Sequence, residues 1–185
     1  MNYGKLILEK LLDERKRSAE PKSSEILTPG ETSGRRQGEK TKFSILQHKE
    51  DEFHFQVRFK DIDKYGIVLD YISISKAIPV MDVDIINKKL ETNSNEIPNK
   101  ITYLLEDFKL IELDRMNKRA QLRSYPPYKE EDSKYYYEIV LDEANRIHFQ
   151  RYQYSSSNKR YEKITCQLTL EIFERLINDL VSILK

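Results

Sequence analysis

Four stretches of the chain carry the hydrophobic pattern of β-strands. In 53–59 every second residue is Phe or Val, with polar residues between them, which predicts a strand with one buried face. Residues 67–75 form a second apolar run that is rich in β-branched side chains. Residues 134–141 and 146–154 flank DEAN, a sequence suited to a tight turn, and predict a hairpin.

Two other stretches follow the helical period. Residues 170–184 carry a broad apolar face after Thr169, a suitable N-cap. Residues 2–17 place Leu8, Leu11 and Leu12 on one face. Because a helix this short is marginal alone in water, we expect these three leucines to bind a protein partner, with the helix as a docking element.

The composition changes sharply between these regions. Residues 18–42 hold three of the five glycines and two of the six prolines, with almost no apolar side chains. This composition predicts a flexible linker. The expected organisation is an N-terminal helix at 1–17, a linker at 18–42 and a single α+β domain at 43–185.

The middle of the chain predicts a helix, a turn, a second helix and a hairpin. A helical period over 83–91 is followed by TNSN, by a second helical period over 96–108, and by KLIEL and RAQLRSY around a charged turn. The segment 83–123 resembles a winged helix-turn-helix. The predicted fold class is therefore α+β, a winged-helix-like core with additional antiparallel hairpins and a long C-terminal amphipathic helix.

This resemblance implies a nucleic-acid interface. The second helix would enter the major groove, where Asn pairs with adenine and basic side chains reach guanine or phosphate. The wing would contact the backbone. The implied nucleic-acid-binding residues are Asn95, Asn99, Lys100, Tyr103, Arg115, Lys118, Arg119 and Arg123.

Charge leaves an alternative open. The whole chain has a formal charge of +1, and residues 83–123 hold eight basic and seven acidic side chains. Duplex binding draws much of its affinity from phosphate neutralisation, and a winged helix can equally serve as a protein-docking module.

Eight of the twelve tyrosines lie between residues 125 and 161, interleaved with arginine and lysine. Aromatic and basic side chains on an exposed sheet suit single-stranded nucleic acid. The order of elements over 134–184 also resembles a PUR-type single-strand-binding repeat. The alternative is that these tyrosines are structural or form a protein interface, since tyrosine favours strands and can bury its ring.

Several classes of function are disfavoured. The single cysteine, Cys166, excludes an internal disulfide, and no long apolar run predicts a membrane span. The three histidines are scattered, and no HExxH, GxSxG or phosphate-binding glycine loop occurs. We therefore expect no enzymatic activity, no cofactor and no metal, in a cytoplasmic protein.

The sequence thus predicts a non-enzymatic regulatory or replication-accessory protein that binds DNA or RNA through the winged-helix-like unit. The alternative is an adaptor subunit that docks through its N-terminal helix and its tyrosine-rich hairpin. A homodimer through the C-terminal helix is a further expectation, because that helix has the broadest apolar face.

Overall fold

The computed structural model describes residues 1–19 and 42–185. These residues form three helices, α1 (Tyr3–Ala19), α2 (Val83–Lys100) and α3 (Leu170–Leu184). They also form ten strands: β1 (Ser44–Glu50), β2 (Phe53–Ile62), β3 (Gly66–Lys76), β4 (Asp107–Asp114), β5 (Arg119–Tyr125), β6 (Tyr128–Glu130), β7 (Ser133–Asp142), β8 (Arg146–Ser155), β9 (Arg160–Ile164) and β10 (Cys166–Thr169). The predicted linker at 18–42 lies almost wholly outside the described residues.

All ten strands join one antiparallel sheet. Its main path runs β1-β2-β3-β8-β7-β5-β4, while β10 pairs with β3, β9 with β8 and β6 with β7. The predicted strands at 53–59 and 67–75 and the predicted hairpin around DEAN are confirmed. Their apolar and polar residues alternate because the apolar positions point into the core.

The helices cover one face of the sheet. Helix α3 packs between α1 and α2, and its apolar side chains are buried against β3 and both neighbouring helices. The predicted helix at 170–184 and its cap are confirmed, since Thr169 Oγ1 accepts the Ile172 N–H at 3.3 Å. The face of the sheet opposite these helices is called the open face below.

The predicted fold class is wrong. The described part of the chain is a ten-stranded antiparallel sheet covered by helices on one face, not a winged-helix core. The hairpin around residues 114–119 does form as β4 and β5. It is not a separate wing, however, because β5 also pairs with β7 and so belongs to the main sheet.

The predicted turn at TNSN lies inside a continuous helix. Thr92 Oγ1 donates to the Lys88 carbonyl at 3.0 Å, and the Ser94 hydroxyl donates to the Leu90 carbonyl. Asn93 and Ser94 lie on the buried face of α2. The polar residues therefore bond back to the helix instead of ending it, and the second half of the predicted helix at 96–108 becomes a loop and β4.

Candidate ligand-binding face

Strand register aligns mostly polar side chains of six strands into rows across the open face. Residues that pair across antiparallel strands point to the same side of the sheet. One row is Lys49, His54, Ser75, Arg146, Asp142 and Arg119, and the next is Gln47, Gln56, Ser73, His148, Val140 and Gln121.

These rows line a depression of about 940 Å³, called the basin below. Its middle lies on β3, where the short side chains of Ser73 and Ser75 leave space between longer neighbours. Most of the side chains that line it are polar or charged, among them Gln47, Lys49, His54, Gln56, Arg119, Glu138, Asp142, Arg146, His148, Tyr152 and Lys163.

The basin has an excess of positive charge. Its two acidic side chains are already engaged, because Asp142 lies 3.6 Å from Arg146 and Glu138 lies 2.9 Å from Arg123. By contrast, Lys49, Arg119 and Lys163 are exposed and make no ion pair with any described residue. The basin can therefore accept an anionic ligand without breaking an internal pair.

A buried polar network supports one side of the basin. A β-bulge between β2 and β3 leaves Asp70 unpaired in the register, and the Asp70 carboxylate lies 3.3 Å from Arg58 Nε and accepts Gln150 Nε2 at 3.5 Å. Gln150 in turn lies 3.4 Å from His148 Nε2. Burial lowers the pKa of His148, and the nearby Lys163 lowers it further, so this imidazole is neutral and can exchange hydrogen bonds with a ligand.

Tyrosine pairs extend the open face beyond the basin. Tyr136 and Tyr152 stack with ring centroids 5.8 Å apart, and Arg123 lies over Tyr136 at 5.0 Å. Tyr154 and Tyr161 form a second pair at 4.6 Å, and the Tyr161 side chain is 61% exposed. The exposed Tyr161 ring thus lies two positions from Lys163 on β9, on the same side of the sheet as the basin.

The described residues contain no cluster of side chains suited to a metal ion. No group of three or more His, Cys, Asp or Glu side chains in residues 1–19 and 42–185 could hold a metal ion. None of the described helices is long and apolar enough to cross a membrane. The open face offers hydrogen-bonding groups, positive charge and aromatic rings, which is chemistry for binding.

The eight predicted nucleic-acid-binding residues do not share one surface. On the helix side, Lys100 Nζ donates to Ser182 Oγ at 2.7 Å, Tyr103 donates to Asp179 at 2.9 Å, and Arg115 pairs with Glu91 at 3.2 Å. Asn95 and Asn99 are also on that side, bonded to each other along α2. Lys118 lies in the β4–β5 turn.

Only Arg119 and Arg123 lie on the open face. Arg119 belongs to the basin, and Arg123 is held by Glu138. The predicted set therefore combines residues from opposite sides of the sheet.

The predicted partner-binding leucines belong largely to the chain's own core. Leu11 is completely buried, and Leu8 and Leu12 are half-buried against the same core. Helix α1 packs on α3, where the Gly4 N–H donates to Asn178 Oδ1 at 2.9 Å. A partner at this helix could reach parts of Leu8 and Leu12 and none of Leu11.

Sequence reasoning did not select Lys49, Lys163 or the two basin serines. A usable signal was present, because the polar half of each alternating strand identifies the solvent-facing side. That pattern does not reveal which strands are neighbours, and Lys49 and Lys163 are separated by 114 positions in the sequence.

No family model matches the sequence, no curated protein shows significant similarity to it, and no solved structure shares significant similarity with it.

Proposed function

We propose that the protein is a non-enzymatic binding protein that holds single-stranded nucleic acid on its open face. The observation that carries this proposal is a set of three basic side chains without an ion pair to any described residue, Lys49, Arg119 and Lys163, around a polar basin that borders the Tyr154–Tyr161 pair. Phosphates would lie near these three side chains, while bases stack on Tyr154 and Tyr161.

Several features favour a single strand over a duplex. The open face is a sheet surface with a depression, and its described residues do not present a helix that could enter a major groove. Gln47, Gln56, Ser73 and His148 can hydrogen-bond the edges of unpaired bases, which are accessible only in single strands. A reducing, cytoplasmic location belongs to this proposal, since the chain's only cysteine is a free buried thiol.

The test is fluorescence anisotropy with a labelled oligothymidylate, an oligouridylate and a duplex over a series of salt concentrations. The two single strands should bind at low salt and the duplex more weakly. The triple variant Lys49→Glu, Arg119→Glu, Lys163→Glu should lose at least about tenfold in affinity. Its plot of log binding constant against log salt concentration should be less steep than that of the wild type, by about 2 in slope.

A matched triple variant controls for net charge. Lys5, Lys10 and Lys88 are exposed on the helix side of the molecule, so Lys5→Glu, Lys10→Glu, Lys88→Glu changes the total charge equally and leaves the open face intact. Equal loss of affinity in both triple variants, or no binding of either single strand by the wild type at low salt, would refute the proposal.

A further inference from the structure

Strand β4 forms a free edge of the sheet. The main path of the sheet ends at β4, and no other described strand pairs with its outer side. Such an edge presents a row of backbone N–H and C=O groups that can pair with another strand. Two large apolar side chains lie in the middle of this edge, Leu110 at 41% exposed and Ile111 at 51% exposed.

A β-bulge in β4 brings two charged side chains, Lys109 and Glu112, to the same face of the sheet. Lys109 pairs with Arg123 and Glu112 pairs with Gln121, both of which are open-face positions. Two residues that are three positions apart share a face only because the bulge inserts an extra residue between them. Leu110 lies on the helix side, opposite the buried Leu122, and Ile111 is the extra residue of the bulge.

The order of residues in β4 is self-complementary. The central residues read Lys109, Leu110, Ile111 and Glu112. If a second copy of β4 lies antiparallel around a two-fold axis between positions 110 and 111, each Lys109 faces a Glu112 and each Leu110 faces an Ile111. A parallel arrangement in register would instead place each charge opposite itself, which is destabilising.

Both charges are available for such a contact. Glu112 is exposed and forms no ion pair with any residue of the described chain. Lys109 Nζ lies over the Tyr125 ring at 4.0 Å, and no acidic side chain in residues 1–19 and 42–185 pairs with it. The same register leaves Asp107 opposite Asp114 at the ends of the strand, where water screens the repulsion.

From these relationships we infer that the β4 edge binds a second copy of this chain, giving an antiparallel two-fold dimer with one continuous sheet. The interface is isologous, as the commonest homodimer interfaces are. It lies at an edge and not across the open face, so each copy keeps its basin. This inference does not depend on nucleic-acid binding.

Charge reversal tests the inference in the full-length protein. Sedimentation equilibrium of the wild type should give about twice the chain mass of 22.1 kDa. Lys109→Glu and Glu112→Lys should each weaken the dimer by about tenfold or more. The double variant Lys109→Glu, Glu112→Lys should restore it to within about threefold, since the reversed charges face each other again.

Lys129 and Glu130 provide the matched control. They are exposed neighbours of opposite charge on β6, so Lys129→Glu and Glu130→Lys should leave the dimer unchanged. Circular dichroism of every variant checks that the sheet is intact. A wild type that stays monomeric at roughly 100 µM, single variants that do not weaken the dimer, or a double variant that does not recover would each overturn the inference.

Discussion

The backbone of Gly4 in α1 lies directly against the backbone of Glu174 in α3. A β-carbon at position 4 would stand 2.0 Å from the Glu174 carbonyl oxygen. Tyr3, Ile7 and Leu11 are buried beside this contact, and the Tyr3 hydroxyl donates to Asp51 at 2.7 Å. The first helix is thus part of the hydrophobic core, and glycine is what allows it to approach α3 so closely.

Gly4→Ala should therefore destabilise the protein although alanine favours helices. The added methyl group would push α1 away from α3, and overpacking of this kind costs about 1–3 kcal/mol. Urea unfolding measures the loss in the free energy of unfolding. The control is the exposed neighbour Lys5→Ala, which should change stability by less than about 0.5 kcal/mol. Equal effects of the two variants would mean that α1 is not held against α3.

Tyr103→Phe separates a structural role from the predicted role in nucleic-acid binding. Burial and the nearby Asp179 raise the pKa of Tyr103, and its hydroxyl donates to that carboxylate at 2.9 Å. Losing the hydrogen bond should cost about 1–2 kcal/mol in urea unfolding. Affinity for a labelled oligothymidylate should not change, because Tyr103 lies on the helix side.

Tyr161→Ala is the complementary measurement. The Tyr161 ring is exposed on the open face, so its removal should change stability little and weaken oligothymidylate binding by about tenfold. If Tyr103→Phe weakened oligothymidylate binding and Tyr161→Ala left it unchanged, the ligand would bind on the helix side of the sheet. That result would contradict the proposed site on the open face.

The local elements could be predicted from sequence because each is encoded by its own periodicity. The alternation of Phe53, Phe55, Val57 and Phe59 identified β2 and the direction of its buried face. The stripe of apolar side chains after Thr169 likewise identified α3. These patterns need no information about distant residues, since burial on one side of an element fixes its period.

The arrangement of the elements could not be predicted in the same way. Thr92 and Ser94 looked like a helix break, but their hydroxyls bond to carbonyls of the preceding turn. The helix continues through these residues because Asn93 and Ser94 face the core, and this packing is a tertiary effect. The basin depends on strand neighbours too, because Lys49 on β1 and Arg119 on β5 share a surface only through the register of four intervening strands.

Stability should fall as the pH decreases through the range in which histidine titrates. Burial lowers the pKa of His148 in the folded protein, whereas the unfolded chain has an ordinary imidazole pKa of about 6.5. Below about pH 6.5 the unfolded state therefore binds a proton that the folded state does not, and the free energy of unfolding decreases until the pH reaches the folded pKa.

His148→Gln should reduce this dependence. Urea unfolding between about pH 7.5 and pH 5.5 should show a shallower loss of stability in the variant than in the wild type. His54→Gln, measured in parallel, reports the contribution of a second histidine that lines the basin. Wild type and His148→Gln curves with the same slope would show that His148 is not held neutral by the fold.

Cys166 should be unreactive until the protein opens. Its side chain is 3% exposed on β10, and burial raises the pKa of its thiol to about 12. Because the thiolate is the reactive species, labelling by a disulfide reagent near pH 8 should be at least about a hundredfold slower in the native protein than in urea. Glu162→Cys adds a thiol on the exposed strand β9 and should react as a free cysteine. Rapid labelling of Cys166 in the native wild type would mean that β10 separates readily from β3, so the labelling rate measures how firmly this edge of the core is closed.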